Sequence, residues 1–187
     1  MDTKQFWQLI EESRVKSGGD CEAQCDAQSE RLQKSLSLLT AEDIAAFDNT
    51  FDRYRKSAYR WDLWGVAVLI NGGASDDGFE YFCRWLIEPG QKLFEAALAE
   101  PDNLADLITD NIFWGDGQLD CEALGYAAME AYEKKTGREM PDEGYQPWPE
   151  GPGGTKWSDE NLDALYPKIT AKINAQSMRS ASEKLED

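Results

Sequence analysis

Residues 69–82 read LINGGASDDGFEYF, and the role of their glycines and acids decides the fold. Three structures suit such a stretch: a phosphate-binding loop, a carboxylate site, or a corner between two helices. A phosphate loop carries Lys and Ser/Thr after its glycines, so that the helix start faces an anion. Here Asp76 and Asp77 occupy that start and would repel one. As a corner, nearly every residue has a place. Asn71, Gly72 and Gly73 end one helix, because glycine adopts the left-handed conformation at little cost. Ser75 caps the next with its hydroxyl. Asp76 and Asp77 fall in the first turn, where each carboxylate gains about 0.3–1 kcal/mol from the helix dipole.

The same punctuation recurs along the chain. A helix is expected from Thr3 to about Val15, capped by Asp2 or Thr3, with Phe6, Leu9 and Ile10 as its apolar stripe. A second starts after Asp20, with Cys21, Cys25, Leu32, Leu36 and Leu39 toward the core. Thr40 caps a third, with Asp43 at the third helical position, and Ile44, Phe47, Phe51 and Tyr54 follow. Ala58–Ile70 is apolar nearly all round after Trp64 and is expected to be the most buried helix. Phe79, Phe82, Cys83 and Leu86 give the helix after the corner its buried stripe. Pro89 and Pro101 suit first helical positions. A helix beginning near Cys121 ends at Gly137. Arg138–Lys156, rich in Pro and Gly, is expected to be an ordered loop pinned by Tyr145, Trp148 and Trp157. A last helix starts at Ser158 and is bent or restarted at Pro167. This pattern predicts an all-α fold, an irregular bundle of about seven to nine helices in one domain over residues 1–175, with a polar tail over 176–187.

Composition bounds the function. The chain has 187 residues, 41% of them hydrophobic, with seven each of Trp, Tyr and Phe. That is enough to bury a core without staples. No apolar run approaches the ~20 residues of a membrane-spanning helix, and the N-terminus lacks a signal peptide's basic start and apolar run. A cytoplasmic protein is expected, with no membrane partner. The net charge is −17. Between Trp61 and Glu133, fifteen acids face only Arg84 and Lys92. Such a chain repels nucleic acid and attracts a basic protein partner. The one basic group, Arg53, Arg55, Lys56 and Arg60, is flanked by Asp52 and Asp62 and reads as a solvated helix face.

The chain has no histidine. That excludes Ser-His-Asp and Cys-His triads and H-E-x-x-H zinc chemistry within it. Its four cysteines lack the spacing of a zinc site. They are expected as reduced, buried thiols, and a bond between Cys21 and Cys25, one helical turn apart, would be strained.

Candidate ligand-binding residues are Trp61, Trp64, Asn71, Ser75, Asp76, Asp77, Trp114 and Asp116. Asp76 and Asp77 point about 100° apart on a helix and are no acid/base dyad alone. A partner carboxylate would come from Asp116, Asp120 or Glu122, and two or three such groups suit a magnesium or calcium ion. Trp61 and Trp64 share a helix face, and Trp114 lies beside the acidic loops. Rings next to carboxylates suit a cation or sugar pocket, but also core packing. No catalytic residue, resident metal or cofactor is assigned.

Three blocks, FWQLIEESR (6–14), YRWDLWGVAVLINGGASDDGFEYFCRWLIEPG (59–90) and LGYAAMEAYEKKTG (124–137), resemble a bacterial family, domain of unknown function 4240. The resemblance covers most of residues 1–137, with a weaker echo in KWSDENLDALYPKI (156–169). It implies bacterial origin and carries no catalytic residues. The leading expectation is an acidic binding or regulatory module for a basic protein. The alternative is a small-molecule or metal-dependent enzyme using carboxylates around Asp76, Asp77 and Asp116. No feature of the sequence sets an oligomeric state.

Overall fold

The computed structural model describes residues 1–15, 21–108 and 119–183. Among the described residues ten α-helices and two 3-10 turns follow one another, and there is no strand, only an isolated bridge between Arg60 and Gly153. The all-α expectation holds. α1 (Thr3–Ser13) starts on a capping box in which Asp2 and Gln5 bond each other's backbone N–H. α2 (Cys21–Leu36) follows, with Cys25, Leu32 and Leu36 buried. Thr40 caps α3 (Ala41–Ser57) by accepting from the Asp43 N–H at 3.1 Å.

α4 (Trp61–Asn71) buries Leu63, Val66, Ala67 and Ile70, and has no polar face to balance them. It ends at Gly72 with φ 71°. Ser75 then caps α5 (Asp76–Trp85), its hydroxyl accepting from the Gly78 N–H at 3.1 Å, with Asp76 and Asp77 exposed in the first turn. α6 (Gln91–Ala99) begins two residues later than its proline suggests. Gly90, with φ 99°, is the cap and Pro89 precedes it. A side chain at Gly90 would also strike the Glu11 carboxylate. Pro101 opens a 3-10 turn leading into α7 (Leu104–Leu107).

A second 3-10 turn (Ala123–Gly125) precedes α8 (Ala127–Thr136), which ends at Gly137 with Lys134 and Lys135 in its last turn. α9 (Leu162–Leu165) is a single turn, and α10 (Pro167–Glu183) restarts at Pro167 and continues through Gln176. α2 and α3 pack on α8, α1 packs on α2, and α10 crosses α4 and α7.

The core holds two aromatic groups. Phe6, Trp7, Phe47, Tyr54 and Phe94 join α1, α3 and α6, with ring centroids 4.7–5.5 Å apart. Trp61, Trp64, Phe79, Phe82 and Trp85 run as a second series from α4 into α5. Offset and edge contacts of this kind add about 0.5–1.5 kcal/mol per pair beyond area burial.

Arg53 of the basic group is exposed as expected, but Arg55 and Lys56 correct its reading as a solvated face. The Arg55 and Lys56 side chains are only 16% and 13% exposed. Both pair with the buried Asp52, and Arg55 also pairs with Glu80. Trp148 lies over both cations, at 4.7 and 5.4 Å, and edge-on to Tyr59. The Pro/Gly-rich segment therefore acts as a strap. It is tied by Lys56 donating to the Gln146 carbonyl, by Asn49 donating to the Glu143 carbonyl, and by backbone bonds of Gly153 to Tyr59 and Trp61. Local spacing could not show this, because the partners lie some ninety residues on.

The corner cap and the buried acid can be tested separately. Ser75→Ala removes the side-chain acceptor at the corner and should lower stability by about 1 kcal/mol in denaturant titration; no change would deny the cap its role. Asp48, 7% exposed, has its carboxyl pushed up to about 7 by burial, then by the Asp52 carboxylate, with Arg55 opposing. A folded pKa above the unfolded one makes the carboxyl's stabilisation complete below about pH 4 and lost as pH rises through about 7. Asp48→Asn should therefore be the more stable protein at pH 8, by a few kcal/mol at most, since each tenfold change in proton affinity is worth about 1.4 kcal/mol. The gap should close toward pH 4. Parallel stability curves from pH 4 to 8 would contradict this.

Candidate functional site

The segment Leu119–Glu122 is held from three sides. Asn71, the last residue of α4, accepts from the Leu119 N–H at 2.8 Å and donates to the Leu119 carbonyl at 3.3 Å. The Cys121 N–H donates to the Tyr81 carbonyl of α5 at 3.2 Å. Cys121 is disulfide-bonded to Cys25 of α2, with Cα atoms 5.4 Å apart. The expectation of four reduced thiols is corrected here. The bond avoids the strained pairing of Cys21 with Cys25 and joins residues 96 apart in sequence. Cys83 is a buried thiol whose pKa burial pushes up; its Sγ lies 3.7 Å from the Ala58 carbonyl.

These ties create a recess of about 410 Å³ lined by Glu22, Asp26, Tyr81, Asp120, Glu122 and Tyr126, with both half-cystines in its wall. Among the described residues no base lines it. The carboxylates feel one another: burial raises the Asp120 carboxyl first, and Glu22 and Glu122 raise it further. Loss of hydration raises the Tyr81 hydroxyl first, then Glu122, Tyr126 and Asp77 add to it.

Arg84 sits behind the two tyrosines. It is 8% exposed, with its guanidinium 5.2 Å from the Tyr81 ring centre and 5.5 Å from that of Tyr126. It pairs with Glu80 at 2.8 Å and donates to the Glu122 carbonyl. Gly125 passes so close that a Cβ there would lie 2.7 Å from the guanidinium. The chain thus already holds one cation against these rings.

The candidate residues read from the sequence separate. Asn71 is spent on Leu119. Ser75 is spent on its cap, and Asp76 and Asp77 stand exposed beside it. Trp64 stacks between Trp61 and Phe79 and donates its indole N–H to the Ala74 carbonyl. Trp61 faces Lys156, whose Nζ lies 4.7 Å from its ring centre. Trp114 and Asp116 lie outside the described residues. Of the partner carboxylates considered, Asp120 and Glu122 do come together, with Glu22 and Asp26. Those two acids and the tyrosines were missed. The signal that could have found them was the repeated pattern of acids around a cysteine: Glu22 and Asp26 about Cys25, Asp120 and Glu122 about Cys121. Among the described residues no three His, Cys, Asp or Glu side chains are grouped to hold a metal ion. None of the described helices is long and apolar enough to cross a membrane.

No curated protein and no solved structure matches the chain significantly. A family model, described as a protein of unknown function (DUF4240), matches residues 1–134. The match takes in every element around the recess and stops before the strap, and on that extent the chain is a member of the DUF4240 family.

Proposed function

We propose that the chain is a binding module that engages a basic protein through the recess between α2, α5 and the Leu119–Glu122 segment. The observation that carries this reading is a recess lined by Glu22, Asp26, Asp120 and Glu122 together with two tyrosines, with no base among the described lining residues. Carboxylates supply the charge, and ring faces add about 0.5–1 kcal/mol each to a Lys or Arg at an exposed site. Arg84 behind the same rings is an internal example of the arrangement. The net charge of −17 extends the attraction over the ~8 Å that physiological salt leaves unscreened, so it favours fast encounter and specificity above raw affinity.

Cytoplasmic residence belongs to the same reading. In that compartment a disulfide is seldom a permanent staple and more often a transient bond. Carboxylate chemistry centred on Asp76, Asp77 and Asp116 is a separate reading that no feature of the described residues favours.

The test is capture of basic proteins from native lysate on the immobilised full chain. Retention should fall steeply as salt rises, and Glu22→Lys with Glu122→Lys should cut it about tenfold, with the helical circular dichroism unchanged. Asp76→Lys, outside the recess, should cost far less. Retention indifferent to salt, or equally sensitive to Asp76→Lys, would refute the assignment.

A further inference from the structure

The strap lies on α3 as a bound peptide would. The core takes in Met140 before it and Trp157 after it, but neither Tyr145 nor Trp148 between them. From Asp142 to Pro149 every residue except the half-buried Tyr145 is exposed. The ties are those of peptide recognition, main-chain groups and one anchoring ring. Asn49 donates to the Glu143 carbonyl and Lys56 to the Gln146 carbonyl. These two side chains stand two turns apart on α3, about 10 Å. Three residues of extended strap span about the same 10 Å, so the rise of the helix matches the rise of the segment laid along it.

Two positions of the strap are read closely. Gly144, with φ 95°, passes so near Asn49 that a Cβ there would lie 2.8 Å from its Nδ2. Four residues on, Trp148 covers the Arg55 and Lys56 cations and meets Tyr59 edge-on. Gln146 and Trp148 each precede a proline, which biases both toward extended backbone. The segment is thus pre-shaped, and docking it costs less entropy. Its fit is nonetheless incomplete. Asn49 Oδ1 and Arg55 Nε are buried with no hydrogen-bond partner among the described residues. A segment that gave a donor to the first and an acceptor to the second would be held more tightly than the strap.

We propose that the side of α3 from Asn49 to Tyr59 is a recognition groove for an extended protein segment in which a glycine is followed, four residues on, by a proline-flanked indole. The strap fills the groove in cis, and a partner protein's segment of the same pattern competes for it. None of the groove residues lines the acidic recess, so the two sites stand or fall separately.

A strap that is only part of the fold would leave no exchangeable site. The test follows the fluorescence anisotropy of a labelled peptide with the sequence of residues 141–154 on titration with the full chain. In the wild type the tethered strap holds the groove at an effective concentration on the order of millimolar, so the peptide should bind weakly. Trp148→Ala weakens the strap and leaves the groove intact. That variant should bind the peptide about tenfold more tightly than the wild type, with its helical circular dichroism unchanged. The same peptide carrying Gly144→Ala or Trp148→Ala should lose about tenfold in affinity for it, a difference of about 1.4 kcal/mol. Equal binding by the wild type and Trp148→Ala would overturn the groove. So would equal binding of the altered peptides, since the peptide would then sit elsewhere. Should Trp148→Ala not fold, Trp148→Phe keeps a ring and carries the same comparison, with a gain of about threefold. Failure of both variants to fold would make the strap a structural element and overturn the proposal as well.

Discussion

The amide of Asn71 is the constraint on which the arrangement of the recess depends. It closes α4 and, with its two side-chain atoms, grips both backbone groups of Leu119. A residue at a helix end thereby sets where a segment 48 residues away must lie. Once Leu119 is fixed, the Cys121 N–H meets the Tyr81 carbonyl, and the cysteine side chain comes within reach of Cys25. Each hydrogen bond contributes about 1 kcal/mol. A disulfide closing so long a loop contributes about 4–5 kcal/mol in the chain-entropy model. The weak contacts thus position what the strong one locks.

Charge is divided between inside and outside. Asp52, Arg55, Lys56, Glu80 and Arg84 form a chain of paired charges on α3 and α5, largely covered by the strap on one side and the 3-10 turn on the other. Buried pairs of this kind cost desolvation and stabilise little net, but breaking one partner is expensive. Arg55, Lys56 and Arg84 are used internally here, and the recess beside them is lined by acids with no base among the described residues. The outer acidity follows from composition, 36 acids against 19 bases.

Much of the fold was legible because it is written locally. Thr40, Ser75, Gly72 and Gly137 act within four residues of themselves, and each sits where the pattern put it. What was not legible is non-local. Asn71 looks like an ordinary helix end until Leu119 is seen against it. Arg55 and Lys56 read as solvent-facing until Trp148 arrives from the strap. The cysteines carry no register that pairs residue 25 with residue 121. Asp120 and Glu122 were recognised as acids near the corner, but the sequence offered Asp76 and Asp77 as their partners, and the fold offers Glu22 and Asp26. Two acids in the first turn of a helix are held outward by the cap, so local chemistry made them conspicuous without making them convergent.

Amide hydrogen exchange resolved by residue tests the Asn71 constraint most directly. The account predicts slow exchange at the Leu119 and Cys121 N–H groups in the wild type. In Asn71→Ala, protection at Leu119 should be lost while Phe79, bonded within the start of α5, keeps its own. A Leu119 amide that exchanges in the wild type as fast as in an unfolded chain would contradict it.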